Sequence, residues 1–149
     1  MVGISLAGLK NYRLAVEAHR SALRIDGRLA SSWHNLGYIL GQRRQWRQAV
    51  PLYRRATETK PDWPRAWRDL GRALCHCGRH DEARAACRRA LDLDPRSTAT
   101  WRILGHVLDL ENDGPGVLEV LERLRALDPA LDCEPKSGDP NSDSNLGTH

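Results

Sequence analysis

Phenylalanine is absent from the 149 residues, and lysine nearly so: Lys10, Lys60 and Lys136 leave 20 of the 23 basic residues as arginine. Without Phe, any core has to be filled by Leu, Ala and a small set of aromatics, five Trp and three Tyr. No run approaches the roughly 20 consecutive apolar residues of a membrane span, so no transmembrane helix is expected. The opening MVGISLAGLK has neither a basic flank nor a continuous apolar stretch, and a secretory leader is not expected either. Cys75, Cys77, Cys87 and Cys133 are not spread as a disulfide framework, which points to a reducing, cytoplasmic setting. There is no glycine-rich phosphate loop, nucleophile elbow or His-Glu-x-x-His pair, so the chain is not read as an enzyme, and no cofactor is expected.

What the sequence does have is a period. Trp67, Leu70, Gly71, Leu74, Ala83, Cys87, Ala90 and Pro95 reappear 34 residues earlier as Trp33, Leu36, Gly37, Leu40, Ala49, Tyr53, Ala56 and Pro61. Thirty-four residues later they become Trp101, Leu104, Gly105, Leu108, Val117, Leu121, Leu124 and Pro129. Tryptophan and proline in strict register mark a stack of helical hairpins, each too small to bury its own apolar face.

The residues and spacing resemble the tetratricopeptide repeat, a 34-residue helix–turn–helix unit with a W-x-x-L-G-x-x-Y, A-x-x-x-F, A and P pattern. Leu40, Leu74 and Leu108 stand where the pattern prefers Tyr. The resemblance covers about residues 2–131 and implies an all-α fold, a right-handed superhelix of stacked antiparallel helix pairs. It divides the chain into a partial repeat over 1–29 with its second helix at about 11–25, whole repeats over 30–63 and 64–97, a divergent terminal repeat over 98–131, and a tail. Gly3, Ile4 and Leu6 fall on the incomplete first helix, and Asn11 is a candidate cap for the second. Ser31 or Ser32, and Ser97 or Thr98, are expected to cap the helices that carry Trp33 and Trp101. Pro51 should bend its helix without ending it. Leu124, in place of Ala56 and Ala90, marks the end of the array and leaves Leu118, Leu121 and Leu127 as an apolar patch. The tail, 132–149, is mainly Asp, Ser, Pro, Gly and Asn and is expected to be disordered.

Charge is uneven along the chain. Residues 1–97 carry a net +10 and residues 98–149 a net −6, which suits an acidic partner for the first part or contact between copies. In the family, the first helices of successive repeats line a groove that holds an extended peptide. The resemblance places His34, Asn35, Tyr38, Arg65, Arg68, Arg72, His76, Arg102 and His106 in that groove. Arg65, Arg68 and Arg72 share one helix face by their spacing, and guanidinium groups favour carboxylate guests. The carboxylate clamp of the chaperone-binding members does not carry over. Asn35 matches one of its Asn and Arg65 stands for a Lys, but Asp69 occupies its Arg place and Ile4 an Asn place.

A protein-interaction scaffold for an acidic or extended peptide is therefore the expectation. The alternative is a structural role through the terminal helices, by self-association or as the repeat module of a larger protein whose catalytic part lies elsewhere. Cys75, His76, Cys77 and His80 do not read as a metal site, because ligands two apart on a helix point to opposite faces. The arginines come with no nucleic-acid-binding motif, so nucleic acid is not the expected partner.

Overall fold

The computed structural model describes residues 6–132. Seven helices follow one another: α1 Leu6–Ile25, α2 Ala30–Gln42, α3 Trp46–Thr59, α4 Pro64–His76, α5 His80–Leu93, α6 Thr98–Leu110 and α7 Gly114–Leu127, with a short 3-10 turn at Pro129–Asp132. Among the described residues there is no strand. Each helix packs on the next in sequence, and the tightest pairs are α2 with α3 and α4 with α5. The chain is thus an all-α helical-repeat solenoid. Gly3, Ile4 and the tail from 133 onward lie outside the described residues.

The 34-residue period has a direct structural cause. Trp33, Trp67 and Trp101 each donate their indole Nε1–H to a carbonyl six residues upstream, those of Gly27, Pro61 and Pro95, at 2.9, 2.8 and 2.9 Å. Gly27 holds the place of Pro61 and Pro95, so the same bond joins successive pairs even where the proline is missing. The turn inside each pair repeats as well. Arg44, Gly78 and Asn112, again 34 apart, all adopt left-handed backbone (φ 58°, 74° and 59°), a conformation that glycine accepts without strain and arginine does not.

Small residues set how closely the helices nest. A Cβ on Gly37 would meet the Tyr53 ring at 3.0 Å, and one on Gly71 would meet Cys87 Sγ at 2.7 Å. Ala49, Ala56, Ala83 and Ala90 are fully buried. The third pair departs from this register. Gly105 faces Val120 at 3.0 Å, not Leu121, and Leu121 is 44% exposed where Tyr53 and Cys87 are buried. Val117 stands where Ala49 and Ala83 sit, so α7 packs less extensively on α6 and turns to bring Val120 inward.

Several helix ends differ from the sequence expectation. α1 is already helical before Asn11, because Leu6, Ala7, Leu9 and Lys10 are good helix formers, so Asn11 is no cap. α2 begins at Ala30 with no side-chain cap, leaving Ser31 and Ser32 inside it. Its start is set by the Trp33 bond to Gly27, and buried Ser32 lies 3.4 Å from His19 Nδ1 of α1. Ser97 does cap α6, accepting from the Thr100 amide at 3.3 Å. α3 continues through Pro51.

Candidate functional site

α4 touches both α2 and α6, whereas the backbones of α3, α5 and α7 stand apart, α3 and α5 meeting through side chains such as Arg54 with Glu82. The first helices of the pairs therefore line the inner side of the stack, and the second helices spread apart on its back. This inner wall collects most of the residues singled out in the sequence.

At its centre is Asp69, only 1% exposed. His34 Nε2 lies 2.8 Å from Asp69 Oδ2, while Arg68 Nε and Arg72 Nη2 approach Oδ1 at 3.2 and 3.3 Å and Arg65 Nε stands 3.9 Å from Oδ2. Burial alone would raise this carboxyl's pKa. The His34 hydrogen bond and the charges of Arg68 and Arg72 outweigh it and hold Asp69 below the usual carboxylate range. An ionised carboxylate only accepts, so His34 carries its proton on Nε2 and donates.

This arrangement changes the role of two residues. His34, expected in the groove, is 3% exposed and wedged between the rings of Trp63 and Tyr53, at 4.7 and 5.4 Å between centroids. It belongs to the floor and is closed to a ligand. Asp69, which looked like a like-charged intruder in an anion groove, is the anchor that gathers the α4 arginines. Three guanidinium groups against one carboxylate leave two positive charges in surplus. Tyr53 lies below them, its hydroxyl and Arg72 Nε both buried without a partner. Burial and the Asp69 charge push the Tyr53 pKa up to about 12, against the lowering effect of Arg72.

Asn35, Tyr38, Arg65, His76, Arg102 and His106 are exposed, and Arg68 and Arg72 half-exposed. His76 stacks face to face on Trp46, with centroids 4.2 Å apart and an interplanar angle of 8°. Its pKa is lowered by burial first, then by Arg72, His106 and Arg44. Those neighbours come from α4, α6 and the turn between α2 and α3, and they carry a positive strip along the inner wall.

Asp69 as a hub and Trp46 as a platform were not read from the sequence. The signal for the first was present: arginines four before, one before and three after an aspartate on one helix. For Trp46 there was none, since it sits among ordinary core positions. The cysteines take no part in the strip. Cys75 and Cys87 are buried and Cys77 half-buried, all three free, and burial pushes the Cys87 thiol up to about 12, with Cys75 adding to the shift.

Residues 34–98 match the family profile described as Tetratricopeptide repeat. Among solved structures, the chain is similar to the MamA RS-1 ArsTM double mutant, with 23% identity over 87% of this chain and 72% of that one and a TM-score of 0.76. It is similar to MamA 41-end from Desulfovibrio magneticus RS-1, with 24% identity, 85% and 72% coverage and a TM-score of 0.75. It also resembles YrrB, described as a TPR protein with an unusual peptide-binding site, with 23% identity, 80% and 62% coverage and a TM-score of 0.73. Identities this low establish likeness of fold. No curated protein sequence matches the chain.

Proposed function

Residues 34–98 match the tetratricopeptide repeat, and from that premise we propose that this chain is a protein-interaction scaffold of that kind, whose inner face takes an acidic, extended segment of a partner. The observation that carries this reading is the surplus of positive charge around Asp69. Arg68 and Arg72 are held in place by the buried carboxylate, which fixes their geometry before any ligand arrives. Arg65, 59% exposed, and Arg102 on the next repeat are the groups free to swing onto a guest carboxylate. Asn35 and Tyr38 supply hydrogen bonds to the guest's backbone. Among the described residues, Cys75, Cys77 and Cys87 are free, which fits a reducing compartment and a cytoplasmic location.

Fluorescence anisotropy of a labelled Asp/Glu-rich peptide tests this. Wild type is expected to bind with an affinity that falls as salt rises, and Arg65→Glu with Arg102→Glu to lose most of it. Equal binding by the double variant would contradict the proposal. Arg68 and Arg72 are left intact because they neutralise Asp69.

A second reading rests on α7, where Leu118 and Leu121 are 63% and 44% exposed. In this reading the last helix docks a second copy of the chain or a neighbouring domain. Light scattering checks the first form: a monomer at high concentration removes self-association.

A further inference from the structure

A second positive feature lies at the edge of the inner face, where the strip runs past His76 and beyond the Asp69 carboxylate. A cleft of about 320 Å³ is lined by Arg44, Trp46, Arg47, Gln48, His76 and Cys77, between the turn that joins α2 to α3 and the C-terminal end of α4. The stacked rings of Trp46 and His76 form a flat wall. No carboxylate lines the cleft. Arg54, Arg65, Arg68, Arg72, Arg79 and Arg84 each meet an Asp or Glu, whereas Arg44 and Arg47 meet none among the described residues.

Arg44 also holds a left-handed backbone (φ 58°) at the register position that Gly78 and Asn112 fill in the other two pairs. Glycine or asparagine would serve the turn with less strain. What arginine adds there is its guanidinium, delivered into the cleft; strain of this kind is a pointer to function. The uncapped first turn of α3 borders the same space and adds the positive end of a helix to a site already made by side chains.

We propose that this cleft binds a phosphate monoester dianion borne on a protein segment, a phosphoserine or phosphothreonine, at the lip of the groove. The protein-borne part rests on the groove reading given above. A single carboxylate would leave one of the two guanidinium groups unmatched. A phosphate carries about −1.5 to −2 charges and three acceptor oxygens, which suits Arg44 and Arg47 with the His76 ring N–H closing the third side. The groups facing His76 are Arg72 on its own helix, His106 on α6, Arg44 on the turn and Trp46 on α3, none of them anionic. A bound dianion supplies the missing negative charge, so binding raises the His76 pKa.

The test uses NMR of the whole chain, following the Trp46 indole N–H and the His76 ring proton, assigned with Trp46→Phe and His76→Gln. Inorganic phosphate is expected to shift both signals saturably and to raise the His76 pKa. Arg44→Gly, which relieves the backbone while removing the guanidinium, and Arg47→Gln should stay folded and bind phosphate several-fold more weakly. A short Asp-rich peptide with one phosphoserine should bind about tenfold more tightly than its unphosphorylated twin. Absence of saturation, or unchanged phosphate binding in Arg44→Gly, overturns the site. Equal affinity of the two peptides overturns the protein-borne ligand. Reversing Arg65 and Arg102 weakens both peptides but leaves the inorganic phosphate titration in place, so failure of the groove reading is told apart from failure of the cleft.

Discussion

His34 and Asp69 form a hydrogen-bonded pair, 2.8 Å from Nε2 to Oδ2, with His34 on α2 and Asp69 on α4, 3% and 1% exposed. The pair is the polar tie between two consecutive repeats, and the arginines of the inner face are organised by it. Removing Asp69 leaves buried His34 and the α4 arginines without their carboxylate, at a cost of about 3–5 kcal/mol, whereas removing His34 deletes one hydrogen bond to a carboxylate that Arg68 and Arg72 still hold. His34→Ala and Asp69→Ala are both expected to lower the denaturant midpoint. Asp69→Ala should be the worse, since it also sets Arg65, Arg68 and Arg72 against one another.

The depressed Asp69 pKa fixes a pH signature. A group whose folded pKa lies below its unfolded value, about 3.9, contributes stability that is present above that value and is lost as pH falls through the folded one. Denaturant titrations at a series of acid pH values should therefore show wild type losing stability below about pH 4, with a shallower loss in Asp69→Asn. Parallel curves would show that Asp69 is not held ionised.

Trp67 donates to the Pro61 carbonyl at 2.8 Å. Trp67→Phe keeps most of the ring's packing and deletes the donor, so it should cost about 1 kcal/mol from the lost bond, together with the smaller ring. Trp33→Phe and Trp101→Phe should fall in the same range, since each loses the same contact. Equilibrium unfolding in urea measures all three.

Gly71 has no room for a methyl: the added carbon would lie 2.7 Å from Cys87 Sγ and 3.3 Å from the Ala83 carbonyl oxygen. Gly71→Ala is expected to destabilise by about 1–3 kcal/mol. Cys87→Ala removes the nearer obstacle, so the double variant should lose less than the sum of the singles. Strict additivity would show that the clash is relieved elsewhere.

The fold was legible because its determinants are local and periodic. Trp33, Trp67 and Trp101 bond to carbonyls at a constant offset, and Gly37 and Gly71 admit the facing helix, so residue type alone marks the helix pairs. The site was legible in outline only. Arg65, Arg68 and Arg72 could be placed on one face by spacing, but the tie between His34 and Asp69 spans two repeats and leaves no trace in either one. The rotation of α7 escaped for a similar reason. Leu121 sits in perfect register by number, and only the bulk of Val117 against α6 shows that Val120 takes the inward place. At the turns, Gly78 announced its conformation, whereas Arg44 adopts the same one with no sign in its residue type.

The central claim is that the face made by α2, α4 and α6 receives an acidic segment while the back made by α3, α5 and α7 does not. Amide NMR of the isotopically labelled chain, titrated with an Asp/Glu-rich peptide, tests this most directly. The account predicts saturable shifts concentrated at Asn35, Tyr38, Arg65, Arg68, Arg72 and Arg102, weakened by added salt. Shifts concentrated on α3, α5 and α7, or no saturation at low salt, would contradict it.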